Sequence, residues 1–191
     1  MEELVKAHWI TGAPGFLKMH FSEDVAQRLR ESLPAETRRS LTELEPIQWC
    51  SRDHHVEVMK AIAAQKRAEA EAFQDLSKYG EYVARVRLEG PWRHLLPVLS
   101  LKLFAKNLPL IWTREHQDGT SLEVDMAPIE DGRLPWRVLG AKNYDHVGIV
   151  ALGWVKEIVA QLTSKPVRTR QQGWSLREPG SDEIQCEVSW S

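Results

Sequence analysis

Cys50 and His54 stand four residues apart, a spacing that sets two side chains on one face of a helix. A thiol beside an imidazole can serve as nucleophile and base, or as two ligands of a metal ion. A working nucleophile also needs an orienting group and an oxyanion hole, and the sequence shows neither. A structural zinc site needs four ligands and a catalytic one usually three, yet no Cys-x-x-Cys or His-Glu-x-x-His occurs. His54 and His55 are adjacent, so on a helix they diverge by about 100° and cannot easily share one ion. The simple expectation is a half-buried cysteine with exposed histidines near a helix start. No Gly-x-Ser-x-Gly elbow is present, and Gly12-Ala13-Pro14-Gly15 lacks the Lys-Ser/Thr that completes a phosphate loop. These residues argue against an enzyme.

Two further residue groups could act on a ligand or partner. Lys165-Pro166-Val167-Arg168-Thr169-Arg170 places Arg168 and Arg170 on one face of a strand, either a solvated face or a contact for phosphate or an acidic partner. Tryptophan is abundant, with eight in the chain. Trp112, Trp136, Trp174 and Trp190 fall in or near an expected sheet, and Trp154 on the inner stripe of a long helix. Tryptophans either fill a core or line apolar pockets and protein interfaces. Phe104, Trp112, Trp136 and Trp154 are therefore the candidate ligand or partner surface.

Composition bounds what these residues can serve. The 191 residues, 42% hydrophobic and 27% charged, suit one globular domain spanning 1–191. A net charge of −2 gives no basic excess of the kind nucleic-acid binders carry, so no nucleic acid is expected. Cys50 and Cys186 form no disulfide framework. The opening Met1-Glu2-Glu3-Leu4-Val5-Lys6 is not a signal peptide, and no apolar run reaches the ~20 residues of a membrane span. A reducing cytoplasm is the expected compartment.

The elements that would position the candidates follow from periodicity. A short strand, a turn at Gly12–Gly15 and a segment Phe16–Phe21 open the chain. Ser22 caps a helix near 23–33, Pro34 ends it, and a second helix runs over 35–44. Ser51 caps a third, and the Ala/Glu/Gln/Lys-rich stretch 61–77 is helical. Gly80 reads as a helix stop. Pro91 starts a helix over 91–107 that is apolar nearly all round. Leu110–Arg114 and Thr120–Met126 flank Asp118-Gly119 as a β-hairpin. A loop with Pro128, Gly132 and Pro135 leads to a long helix, Tyr144 to about Ser164. Strands Val167–Trp174 and Ile184–Trp190 close the chain around Glu178-Pro179-Gly180-Ser181. The class is α+β: N-terminal helices packed on a C-terminal antiparallel sheet built as β-hairpin, long helix, β-hairpin.

This layout, with Leu33-Pro34, Leu41 and Trp49 early, Trp112 and Gly119 in a strand pair, and closing strands ending on Trp190, resembles a known group. It is similar to an uncharacterised family with many myxobacterial paralogues, itself similar to the haem-NO-binding-like, vinyl-reductase-like and TRAPP-subunit superfamily. The resemblance implies helices packed on an antiparallel sheet, in proteins that act as small-molecule sensors, chaperone-like adaptors or dimerising scaffold subunits. Haem-binding members use a proximal histidine and a Tyr-x-Ser-x-Arg motif. Here the nearest match, Tyr82-Val83-Ala84-Arg85, departs at the serine, and His94 would be the axial ligand. No haem or other cofactor is expected.

The leading expectation is a non-enzymatic regulatory or adaptor domain acting through protein partners, including a second copy of itself. The alternative is a sensor enclosing a small apolar ligand between helices and sheet. A Cys50–His54 enzyme ranks last.

Overall fold

The computed structural model describes residues 3–66, 68–90, 92–94, 98–142, 144–172 and 182–191. The chain runs β1 (Leu4–Lys6), α1 (His8–Thr11), α2 (Ala13–His20), α3 (Glu23–Ser32), α4 (Ala35–Glu43), β2 (Trp49–Ser51) and α5 (Arg52–Ala63). It continues with α6 (Glu69–Glu89), α7 (Leu101–Glu115), β3 (His116–Gln117) and β4 (Ser121–Val124). After a 3-10 turn at Ala127–Asp131 come β5 (Arg133–Leu139), α8 (Asp145–Thr163), β6 (Val167–Gln172) and β7 (Glu183–Trp190). This is an α+β fold with helices toward the N-terminus and an antiparallel sheet toward the C-terminus. No described helix is long and apolar enough to cross a membrane.

The main sheet has the order β4-β5-β7-β6, all antiparallel. Leu134, Trp136 and Val138 alternate inward along β5, and Ile184, Cys186 and Val188 along β7. The opposite face carries Arg137, paired to Glu123 and Glu183 across the strands. A smaller sheet, β2-β1-β3, joins the N-terminus to the end of α7.

The long helix and the final antiparallel strand pair occur where the sequence places them, but the first hairpin and several other local expectations fail for tertiary reasons. Leu110–Arg114 is helix: α7 starts at Leu101, where the Ser100 hydroxyl accepts the Leu103 N–H, and runs through Pro109 to Glu115. Its β-branched and aromatic residues follow the burial of Phe104, Leu108 and Trp112 on one helical face rather than strand propensity. The helix expected over 91–107 therefore sits later in the chain. Asp118-Gly119 does not join a hairpin, because β3 pairs with β1 and β4 pairs with β5. The true partner, β5, hides behind Pro135, whose carbonyl accepts the Asp125 backbone N–H. Only Gly12 turns, between α1 and α2; Ala13–Gly15 already belong to α2, with Pro14 in its first turn. The turn Glu178–Ser181 and Trp174 lie outside the described residues.

Gly80 does not stop a helix either. It lets α6 lie against α8, the most extensive helix–helix contact in the molecule. A Cβ at Gly80 would lie 2.0 Å from the Val150 carbonyl oxygen, and one at Gly153 2.0 Å from that of Ser77. Reciprocal glycines thus bring the two backbones into contact. α8 in turn packs on β6 and β7, so it is buried between α6 and the sheet.

Candidate functional site

The space between the helices and the sheet is filled by aromatic rings and, unusually, by buried titratable groups. α1 contributes His8 and Trp9, α5 His55, α7 Trp112 and Glu115, β3 His116, and the residue before α8 Tyr144. His55 and Tyr144 are fully buried. Trp9 stacks on His55 with centroids 5.8 Å apart, and lies 5.8 Å from His116 and 5.9 Å from Trp154. Trp112 lies flat on His116 at 3.9 Å.

A hydrogen-bonded chain threads these rings. The Trp112 indole N–H donates to Thr120 Oγ1 at 2.8 Å, and that hydroxyl donates to Asp118 Oδ1 at 2.6 Å. Asp118 Oδ1 also accepts the Thr120 backbone N–H, closing an Asx-type turn. Asp118 Oδ2 lies 3.5 Å from His116 Nδ1. The Tyr144 hydroxyl then bridges His116 Nδ1 at 3.3 Å and His55 Nδ1 at 3.5 Å. Beside it, Arg87 Nη1 donates to Glu115 Oε1 at 3.0 Å and to His8 Nε2 at 2.8 Å. A guanidinium can only donate, so His8 Nε2 is the accepting, unprotonated nitrogen.

Burial sets the charges. It drives His8 well below the ordinary imidazole value, helped by the Arg87 charge. It drives His55 down to about 3, with His116 adding and Asp118 opposing. Burial would lift the Asp118 carboxyl, but hydrogen bonds to His116 and Thr120 outweigh it and hold the group well below the carboxylate range. Burial also raises the Tyr144 hydroxyl far above its usual value. At neutral pH the core therefore holds neutral His8, His55 and Tyr144 around the Asp118 carboxylate.

Some hydrogen-bonding capacity is unspent. Nε1 of Trp9, Trp136 and Trp154, Nε2 of His55 and His116, and Glu115 Oε2 are buried with no hydrogen-bond partner. Each such group costs on the order of 1–3 kcal/mol relative to a satisfied one. A cavity of about 10 Å³ is walled by Trp9, Trp112, Glu115, Trp136 and Trp154 among others.

Of the candidates named from sequence, Trp112, Trp136 and Trp154 meet at this cavity, and Phe104 packs on Trp154 with centroids 6.0 Å apart. All four are buried, so none forms an outer surface. Cys50 and His54 are engaged apart: the Cys50 thiol donates to the Val5 carbonyl, and His54 Nδ1 meets Ser40 Oγ at 2.9 Å. Burial pushes the Cys50 thiol up to about 12, far from a reactive thiolate. Both residues line an open cleft of about 810 Å³ between α4 and α5. His55, expected at the surface, is interior, because the helical turn that leaves His54 beside Ser40 carries its neighbour inward. Sequence did not single out His8 or His116, and it read Asp118 only as a turn and Tyr144 only as the start of a helix.

No family model and no curated protein matches the sequence. The ferrous, unliganded H-NOX protein from K. algicida superposes with a TM-score of 0.69, covering 97% of this chain and 96% of its own at 10% identity. The fold is that of the H-NOX domains. An H-NOX protein from S. oneidensis in its Fe(II)NO state agrees at a TM-score of 0.66 and 8% identity, over 97% of this chain and 99% of that one. A third structure, from work on haem distortion in the H-NOX family, matches at 0.63 and 11% identity over 97% and 95% of the two chains.

The residues here do not fit a haem. Pockets that enclose cofactors run to about 300–1,000 Å³. The cavity between helices and sheet walled by Trp9, Trp112, Trp136 and Trp154 holds only about 10 Å³. His94 sits exposed on a turn ahead of α7, not on a buried helix. Arg85, the cation nearest the expected motif, pairs with Glu81 and Glu157.

Proposed function

We propose that the chain is a haem-independent sensor with the H-NOX fold, whose small ligand acts at the aromatic–histidine layer between helices and sheet. One observation carries this reading. The fold is shared with proteins whose structures hold iron and NO, and here the interior between helices and sheet combines aromatic rings with buried donors and acceptors that lack partners. A purely structural core would satisfy them or replace them with apolar groups. The elements meeting there, α1, α5, α7, β3 and α8, span both layers, so a ligand that alters their packing is transmitted across the molecule.

Thermal unfolding under anaerobic NO or CO tests the reading. Ligand binding to the folded state at 100 times Kd stabilises by about 2.7 kcal/mol. Native mass spectrometry of freshly purified protein shows whether a ligand is carried already. If neither gas moves the transition and native and denatured masses agree, the sensor reading is wrong.

A second reading, a regulatory domain that associates with itself or another protein, rests on Leu103 and Leu110. They lie seven residues apart on α7 and are 48% and 49% exposed. Light scattering that shows a dimer, lost in Leu103→Glu/Leu110→Glu, supports it; a monomer at all concentrations removes self-association.

A further inference from the structure

β6 is an edge of the main sheet: β7 pairs with it on one side, and no described strand pairs with it on the other. In an antiparallel ladder every second residue turns its N–H and C=O away from its neighbour. Along β6 no described backbone group outside the ladder takes up those groups. Such an edge is a template for one more strand.

Side chains define what that strand must carry. The inner face of β6 packs on α8, leaving Val167, Thr169 and Gln171 half-buried. The outer face presents Arg168 and Arg170, both exposed. Lys165 adds a third cation just ahead, and Val167–Gln172 contains no carboxylate. Glu187 stands opposite Arg170 in the ladder but pairs with Arg133, and the Gln172 side-chain amide lies against Arg170. Among the described residues neither Arg168 nor Arg170 has an ion pair. A hollow of about 410 Å³ on the same face, bordered by Pro135, Arg137, Arg170, Gln172 and Gln185, leaves room for side chains arriving over Arg170.

A second copy does not suit this edge. Antiparallel pairing of β6 with β6 about a two-fold must keep outer face beside outer face. Either register that overlaps nearly the whole strand then sets Arg168 opposite Arg170, or Arg170 opposite itself. Like charges directly opposite destabilise a strand pair. Carboxylates at alternate positions of an incoming strand meet the same arginines favourably.

We propose that the open edge of β6 binds an extended acidic segment of a partner protein by strand addition, with Arg168 and Arg170 taking its carboxylates. Main-chain bonds supply affinity, and the arginines supply charge selection. This surface lies apart from the interior layer between helices and sheet, and neither reading depends on the other.

Three peptides tested against the 15N-labelled full-length protein decide it. The first is acetyl-Glu-Val-Glu-Thr-Glu-Val-amide. The second has Lys at each Glu. The third is the acidic peptide N-methylated at every residue, which keeps the charge and has no backbone N–H to donate. The acidic peptide is expected to shift the β6 amides and slow their exchange with solvent, while the other two do neither. Arg168→Glu/Arg170→Glu is expected to bind the acidic peptide roughly tenfold more weakly and to take the lysine peptide instead, which also shows that the variant is folded. If no peptide perturbs β6 in either protein, the proposal is overturned. Equal binding of the N-methylated peptide would make this a plain anion site and overturns strand addition. Protection of β6 that grows with protein concentration, without peptide, would make a second copy the occupant and overturns it too.

Discussion

Tyr144 shows how one hydroxyl can organise a buried polar cluster. Its contacts to His55 and His116 are 3.5 and 3.3 Å, long for hydrogen bonds, so each contributes modestly. Arg52 lies over the ring face with its guanidinium 4.3 Å from the centroid. Tyr144→Phe keeps the ring and that cation–π contact but removes the bridge. A loss of about 1 kcal/mol is expected in urea unfolding. An unchanged midpoint would mean the hydroxyl contributes nothing net.

At the scale of elements, the α6–α8 contact decides whether the layers close. Because a Cβ at Gly153 would lie 2.0 Å from the Ser77 carbonyl oxygen, a backbone atom, no side-chain rotation relieves the clash. Gly153→Ala is expected to cost at least the ~1–3 kcal/mol of an overpacked core, read as a lower thermal midpoint. Gly119→Ala is a useful contrast: nothing lies within 4 Å of its Cβ, but its φ of 80° still strains any other residue. A Gly153→Ala protein as stable as the parent would show that the helices can separate at little cost.

The whole molecule carries its polar core as a pH dependence. His8, His55 and His146 are all held below the ordinary value of 6.5, His55 at about 3 and His146 at about 4, each chiefly by burial. The unfolded chain therefore takes up protons below about pH 6.5 that the folded chain refuses. Stability from these groups is present at neutral pH and lost as pH falls toward 4. The expected slope reaches about 1.4 kcal/mol per pH unit for each histidine. Depressed Asp118 acts in the same direction at still lower pH. A midpoint flat between pH 7 and 4.5 would contradict neutral buried imidazoles. The packed interior also predicts no Soret band after expression with added haem precursor; a band that copurifies would show that the tryptophan layer opens for a porphyrin.

The sequence alone determined the elements whose pattern is local. The helices over 23–32, 35–43 and 145–163 follow apolar repeats and breakers in the chain, and Ser51 caps α5 through its own hydroxyl. The α+β class followed from the order of those elements. Trp112, Trp136 and Trp154, expected as a ligand or partner surface, are instead buried and meet at one small cavity. Tertiary structure decided the rest. Leu110–Arg114 is helix because burial of one face outweighed strand propensity. Gly80 sits mid-helix because a neighbouring backbone needs its missing side chain. The buried cluster joins residues as distant as His8, His55, His116 and Tyr144. No local spacing encodes such a meeting, because contact between separate elements is fixed by how they pack, not by how they are ordered.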